Sequence, residues 1–254
     1  MKRTASAIAT ANALLVVVVT MLAAGCHAKY VTPGGPADLS AFSDRSVAEK
    51  WDRKPAAAFP ARIALIRVQA SGYRSHRHES FGYGNYSVVT ARDVETEAHL
   101  KTIAAVPDVA DVATINRLLL PEHLQSDLEL RDAAASLHAD MLLLYTFDTV
   151  FRTDKAIPAA DVLTLGLMPD RSERVTTTAS ALLMDTRTGF IYATLEATAR
   201  QNQLANAWSS ADAADDARVR AERQAFDELV AQFEPTWHRV RSEHARPSAS
   251  AARP

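Results

Sequence analysis

One run of apolar residues constrains the fold of this chain more than any other feature: MLLLYTF, at positions 141–147. Side chains of a β-strand point alternately to opposite faces, and here both faces are apolar. Strands of this kind are covered by other elements on both sides. We therefore expect this strand to lie in the centre of a sheet.

A helix with one apolar side should directly precede that strand. Ser126 and Glu129 have the spacing of a capping box, in which each side chain bonds the backbone at the helix start. The residues that follow are apolar at the helical spacing i, i+3, i+4 and i+7: Leu130, Ala133, Ala134 and Leu137. A helix that leads into a buried strand is typical of an α/β layer fold, with an α+β arrangement as the alternative.

Two longer elements complete the expected domain. Residues 175–185 and 190–201 predict a long β-hairpin about the Gly-containing segment 185–189. One face of the second arm should carry Ile191, Ala193, Leu195, Ala197 and Ala199. Near the C-terminus, an apolar stripe predicts a long amphipathic helix, which Pro235 should bend or split. The stripe consists of Val219, Phe226, Leu229, Val230, Phe233, Trp237 and Val240.

These elements together predict the fold class. A β-rich segment at 62–68 supplies the expected first strand. The sequence therefore predicts an α/β fold, with α+β as the alternative: one three-layer-like domain over residues 61–240, with a central mixed sheet.

The N-terminus has the order of a secretory signal peptide. Lys2 and Arg3 are followed by the apolar run 14–24 and then by small residues before Cys26. A retained transmembrane helix is the competing interpretation. It needs about 20 apolar residues, and the strongly apolar part is shorter. We expect residues 1–25 to be a cleaved signal.

The residues Ala23-Ala24-Gly25 in front of Cys26 resemble the lipobox of bacterial lipoproteins, although Leu22 lies one place further from the cysteine than is commonest. The resemblance implies that Cys26 is lipidated and becomes the first residue of the mature protein. His27 stands where an inner-membrane retention signal would have Asp. This favours the outer membrane, with the protein facing the periplasm. A free cysteine in a discarded peptide is the alternative.

Composition and linker chemistry set the remaining boundaries. Residues 26–60 contain Pro- and Gly-rich turns and predict a lipidated tether, and residues 241–254 predict a disordered tail. Removal of Lys2 and Arg3 leaves 28 − 2 = 26 basic residues against 30 acidic ones, so we expect no nucleic-acid partner. With its one cysteine lipidated, the mature chain would have neither a disulfide nor a thiolate metal site.

Two stretches are similar to the α/β domain of periplasmic lipoproteins related to the curli-secretion channel and to the activators of penicillin-binding proteins. They are LRDAAASLHADMLLLYTFDT at 130–149 and TTTASALLMDTRTGFIYATLEATA at 176–199. The resemblance implies the same layered domain, an envelope partner and possible assembly into a homo-oligomeric ring. It brings no catalytic residue with it.

Residues 71–87, SGYRSHRHESFGYGNYS, are the most unusual segment. Its two histidines and a glutamate are metal-ligand types, but no third or fourth ligand stands at a recognisable spacing, so we expect no metal. Aromatic residues and arginines on a loop suit a partner contact, with a plain solvated or edge-strand insertion as the alternative. The candidate contact residues are Tyr73, Arg74, His76, Arg77, His78, Phe81, Tyr83 and Tyr86.

The sequence contains no recognisable nucleophile, zinc-protease or nucleotide-binding motif. We therefore expect neither catalysis nor a cofactor. The predicted function is that of an outer-membrane-anchored lipoprotein that binds another envelope protein or the cell wall. A lipoprotein enzyme acting on the cell wall or on a small envelope substrate is one alternative. A self-associating envelope ring is the other.

Overall fold

The strand predicted at 141–147 lies inside a sheet and is paired on both sides. The computed structural model of the chain describes residues 36–37, 47–75, 77–155, 171–205 and 210–245. Every side chain from Met141 to Phe147 is buried. The neighbouring strands are residues 61–70 on one side and 171–185 on the other.

The described elements carry the following labels. The helices are α1 (Val47–Asp52), α2 (Glu97–Ala104), α3 (Leu128–Ser136) and α4 (Ser210–His244). The strands are β1 (Ala61–Ala70), β2 (Tyr83–Gly84), β3 (Tyr86–Val89), β4 (Val109–Thr114), β5 (His123–Leu124), β6 (Met141–Lys155), β7 (Arg171–Asp185) and β8 (Ile191–Ala205).

The main sheet is mixed and follows the order β3-β1-β6-β7-β8. Strand β1 is parallel to β6 on one side. On its other side, β1 is parallel to β4 along its first half and antiparallel to β3 along its second half. Strands β6, β7 and β8 are antiparallel, and β2 pairs with β5 in a separate small sheet.

Helices cover the sheet on both faces, which confirms the predicted α/β class with its central mixed sheet. The whole predicted stripe of α4 is buried, and from Phe226 onward it packs against one face together with Ile103 of α2. Leu130, Ala133 and Ala134 of α3 are buried against the other face. Successive residues of β1 and β6 point to opposite faces of the sheet, so these two strands contribute side chains to the hydrophobic core on each face.

The hairpin forms where the sequence predicts it, but the first residues of its second arm face the other way. Ile191 is 47% exposed, whereas Tyr192 is buried. The register of β7 and β8 shifts between Leu183 and Met184. A shift of one residue reverses the facing of every side chain beyond it, so the expected inward position of Ile191 is wrong.

Helix α4 continues through Pro235, so of the two outcomes expected from the sequence, a bend or a split, the split does not occur. An internal proline costs about 3 kcal/mol, because it removes one hydrogen bond and crowds the preceding turn. Phe233 and Trp237 flank it, and each fully buried side chain of this size contributes about 1.5–3 kcal/mol or more. The Trp237 indole also donates to the Pro107 carbonyl at 2.9 Å. These contacts together outweigh the proline.

Helix α4 ends at His244, four positions beyond the expected domain end at 240. Arg241 Nε lies 2.7 Å from Asp108 Oδ2, which holds this last turn near the start of β4. The first residues of the expected tail are therefore helical. The part of the tail from 246 onward lies outside the described residues.

The last residues of the expected tether pack on the domain at the hairpin turn. Oδ2 of Asp185 accepts hydrogen bonds from the amides of Ala56 at 2.7 Å and Ala57 at 2.8 Å. Arg53 Nη1 donates to the Gly189 carbonyl at 2.7 Å. The φ of Gly189 is +68°, in the left-handed region that favours glycine, and a Cβ there would also displace the Arg53 guanidinium.

An earlier point of the expected tether also contacts the domain. Ala37 is buried, and its amide donates to Thr146 Oγ1 at 3.2 Å. The chain thus touches the sheet at residue 37 and again from residue 53 onward. Cys26 and the rest of the signal region lie outside the described residues.

Asp185→Asn should destabilise the protein in a pH-dependent way. Burial raises the pKa of the Asp185 carboxyl, but hydrogen bonds from the Thr188 amide, the Tyr192 hydroxyl and the two alanine amides outweigh this and lower the pKa. A carboxyl with a lowered folded-state pKa stabilises the fold above its usual pKa of about 4, and this contribution is lost as the pH falls through the lower folded value.

We expect Asp185→Asn to lower the free energy of unfolding by about 1–3 kcal/mol at pH 7, with the difference from wild type shrinking below about pH 4. Urea unfolding over a pH series measures it. Asp132→Asn, at an exposed position of α3, is the matched control and should change little. A constant difference at all pH values would contradict the role of the Asp185 charge.

Candidate functional site

The candidate site lies at the carboxyl half of β1, beside β6. The connection from β1 to β4 passes through α2 on one face, and the connection from β4 to β6 passes through α3 on the other. In open α/β sheets, binding sites commonly form where connections diverge in this way. Here the place is occupied by a group of charged side chains, all buried except the partly buried Asp93, which we call the charge cluster: Arg67, Asp93, Asp215, Arg218 and Glu222.

Arg67 is the member of the cluster that comes from the sheet. Its Nη2 lies 3.1 Å from Glu222 Oε2, and its Nη1 lies 3.3 Å from Asp93 Oδ1. Nη2 also donates to the Tyr73 hydroxyl at 3.1 Å. The guanidinium carbon lies 4.6 Å from the centre of the Phe147 ring, close enough for a cation–π contact.

Arg218 is the second arginine and comes from α4. Its Nε lies 2.9 Å from Asp215 Oδ1, and its Nη1 lies 2.6 Å from Glu222 Oε2. Residues three and four apart are neighbours on a helix surface, which brings these three side chains together. Nη2 of Arg218 reaches across to Asp93 Oδ2 at 3.2 Å, so Asp93 and Glu222 are each shared by both arginines.

The loop that follows β1 adds a third arginine to the cluster. Two arginines face three carboxylates, which leaves one negative charge in excess. Arg77 supplies the third positive charge, because its Nε lies 2.8 Å from Asp215 Oδ2, and it also pairs with Asp216. Burial alone would lower the pKa of Arg67 and Arg218, but the carboxylates, Glu222 foremost, raise both pKa values above the usual one.

The structure separates the predicted contact residues of segment 71–87 into buried and exposed ones. Tyr73 and Tyr86 are buried, so they are not available to a partner in this conformation and the expectation for them is wrong. Tyr73 bonds Arg67, and the Tyr86 hydroxyl donates to the Ser126 carbonyl at 2.9 Å. Large aromatic side chains gain more from such packing than from exposure to water.

The other contact residues stay wholly or partly accessible. Tyr83 is 49% exposed, and Arg74 and Arg77 are also exposed. His78 and Phe81 are half-buried, and Phe81 packs beside the second core. His76 lies outside the described residues.

Tyr83 forms a fixed pair with a residue that sequence reasoning missed. Its hydroxyl lies 2.8 Å from His123 Nε2, and the two rings meet edge to face at 4.2 Å. Strands β2 and β5 bring them together. Gly84 permits this pairing, because its φ is +132° and a Cβ there would lie 2.3 Å from the Leu124 carbonyl oxygen.

A cavity of about 140 Å³ opens beside the cluster, between the ends of β3 and β4. Tyr145 and Glu95 lie in its wall, and the Tyr145 hydroxyl donates to Glu95 Oε1 at 2.5 Å. Burial, and then Glu95, raise the pKa of Tyr145, so this phenol stays a neutral donor. Over the described residues, no group of three or more His, Cys, Asp or Glu side chains is arranged to hold a metal ion.

The sequence did carry one signal for the charge cluster. Asp215, Arg218 and Glu222 continue the apolar stripe of α4 toward its N-terminus at spacings of three and four. Charged residues on the buried side of a helix predict a paired network, since unpaired buried charges are too costly. Asp93 carried no such signal. Among the described helices, α4 included, none is both long and apolar enough to cross a bilayer.

Comparison with known proteins gives weak likenesses. No protein-family model and no curated protein matches the chain. Protein XCC0632 from Xanthomonas campestris, of family DUF330, aligns with a TM-score of 0.38 and 13% identity, over 75% of this chain and 92% of that one. Lipoprotein GNA1162 from Neisseria meningitidis aligns with a TM-score of 0.30 and 13% identity, over 68% and 99%.

The PelC dodecamer from Paraburkholderia phytofirmans aligns with a TM-score of 0.25 and 15% identity, over 68% of this chain and 93% of that one. Each of these three TM-scores is below 0.5. The likenesses therefore carry no argument about what this chain does.

Glu222→Gln tests the charge cluster. The substitution keeps the shape of the side chain but removes the carboxylate that both arginines share. Removing one partner of a buried ion pair typically costs about 3–5 kcal/mol, and we expect a loss of this size in urea unfolding. Glu228→Gln, at an exposed position on the same helix, should change the free energy of unfolding by less than about 0.5 kcal/mol. Equal effects of the two substitutions would contradict the network.

Proposed function

We propose that this chain is a lipid-anchored envelope protein that works by binding another envelope component and not by catalysis. Its location in the envelope is inferred from the sequence: the basic start, the apolar run 14–24 and the small residues before Cys26. The outer membrane, with the protein facing the periplasm, follows from His27 in place of an Asp.

The binding role rests on one observation, the way that segment 71–87 is held. Tyr73 and Tyr86 are buried at its two ends, and Arg77 pairs with α4 between them. Arg74 and Tyr83 are then displayed on a base that does not have to be ordered by the partner. Preorganised arginine and tyrosine side chains are the types that contribute most at protein interfaces.

The anchor would limit where this surface can act. Ten residues lead from Cys26 to Pro36, and Ala37 already contacts the domain. Ten extended residues span at most about 35 Å. A short tether raises the effective concentration of the domain for a partner at the same membrane without any new contact.

The other functions considered from the sequence stay predictions. Self-association into a ring can be tested by measuring the mass of the protein assembly in detergent. Action on the cell wall or on a small envelope substrate would have the cavity beside Glu95 and Tyr145 as one candidate site.

The anchor is tested by mass spectrometry and by fractionation of cell envelopes. We expect the mature protein to begin at Cys26 with a diacylglyceryl group and to be recovered with the outer membrane. Cys26→Ser should release the protein from that fraction or leave the signal uncleaved. A mature wild-type chain with an unmodified thiol would contradict the proposal.

The contact surface is tested by placing a photo-crosslinking amino acid at position 83 in cells. We expect adducts with an envelope protein or with cell-wall fragments, and we expect Arg74→Ala in the same chain to reduce them. The matched control is the same amino acid in place of Leu118, which is 85% exposed and lies outside the segment. Adducts of equal yield at both positions would show that segment 71–87 has no special role.

A further inference from the structure

Helix α1 presents two large apolar side chains to solvent. Val47 is 81% exposed and Trp51 is 84% exposed. Residues four apart lie on the same side of a helix, so the two form one apolar face. A tryptophan can bury 150–250 Å² of surface, and here nearly all of that surface is left uncovered by the described residues.

The charges around this face have a definite arrangement. Lys50, which is exposed, lies three residues after Val47 and therefore on the same side of the helix. At about 100° per residue, Glu49 lies on the opposite side, and Asp52 lies between that side and the apolar face. Lys54, also exposed, follows the helix. The side of α1 that carries Trp51 is thus apolar in the middle and basic at one border.

The position of α1 in the fold is fixed by the residue that follows it. Arg53 bonds the Gly189 carbonyl, which places the end of α1 at the turn between β7 and β8. This turn lies beside the start of β6, because Asp185 pairs with Met141. Ile191, which is 47% exposed, is the first residue of β8 and follows the same turn. The charge cluster lies further along the strands, toward the carboxyl end of β1.

We propose that α1 lies on a lipid bilayer surface, with Trp51 and Val47 at the boundary of headgroups and acyl chains and the two lysines at lipid phosphates. The inference extends the proposed function and rests on it, because the lipid anchor would bring α1 to a bilayer. Tryptophan favours the membrane–water interface, and basic residues at the border of an apolar helix face favour anionic lipids.

Two observations favour lipid over a protein partner as the occupant. Lys50 lies at one border of the apolar face and Lys54 follows the helix, and both side chains complement an anionic surface. In addition, α1 belongs to the very segment that joins the domain to Cys26. One helical turn binds weakly by itself, but an anchor in the same bilayer raises its effective concentration, so a weak contact is sufficient.

Docking of α1 would orient the domain. The edge with the β7–β8 turn would face the bilayer, and segment 71–87 with its exposed Arg74 and Tyr83 would face away from it. The contact surface would then be presented to partners across the periplasm instead of to components lying in the same leaflet.

The test uses the lipid-modified protein, reconstituted in vesicles of phosphatidylethanolamine and phosphatidylglycerol, with and without brominated acyl chains that quench tryptophan. Three proteins are compared: wild type, Trp51→Phe, and Trp51→Phe with Leu118→Trp. The last one moves the indole to a position of equal exposure after the carboxyl end of β4. The remaining tryptophans are common to all three and cancel in the differences.

The emission of Trp51 is the difference between wild type and Trp51→Phe, and we expect brominated acyl chains to reduce it. The emission of the indole at position 118 is the difference between the double variant and Trp51→Phe, and we expect brominated acyl chains to leave it unchanged. Absence of that loss in vesicle-bound wild type overturns the proposal, and equal loss at both positions overturns the orientation. Failure of the anchor is detected separately, as protein that does not float with the vesicles. In that case the same quenching is measured after adding excess vesicles to the free protein, and no loss at Trp51 again overturns docking.

Discussion

The carboxylate of Glu222 joins the parts of this protein that matter for its proposed role. It lies between an arginine of the sheet and an arginine of the long helix, and Asp93 closes the arrangement on the other side. Buried ion pairs gain little net stability, because desolvation costs about as much as pairing returns. Their effect here is on position. An apolar stripe tolerates small rotations and slides of α4, whereas shared hydrogen bonds at 2.6–3.3 Å permit one placement.

That placement also fixes the loop after β1. Arg77 pairs with the buried carboxylate of Asp215, so the loop is held against the cluster. The domain therefore has two ends with different chemistry. At the β7–β8 turn, Asp185 accepts hydrogen bonds from two backbone amides of the segment that precedes β1. At the carboxyl half of β1, ion pairs hold a loop whose outer residues remain exposed. The first end suits attachment and the second suits contact.

Periodicity made most of the fold predictable from the sequence. The buried strand 141–147, helix α3, the hairpin and the stripe of α4 all follow from local spacing of apolar residues, and the structure agrees with each. The errors arose where the outcome depends on distant residues. Nothing local shows that Tyr73 finds Arg67, or that a register shift opposite Met184 turns Ile191 outward. The charge cluster was missed for the same reason, because its members come from three separate segments of the chain.

The burial of Tyr73 and Tyr86 removes two of the expected contact residues but changes the energetics of those that remain. Ordering a flexible side chain at an interface costs about 0.5–1.5 kcal/mol each, and a loop pinned at three points has met much of that cost on folding. Two displayed side chains still form a small surface, and their affinity alone would be low. Short flexible tethers give effective concentrations in the millimolar range, so a contact with a dissociation constant near that value would be largely occupied once both partners share a membrane. The proposed anchor and the proposed contact surface would therefore be complementary, because the first would compensate for the low affinity of the second.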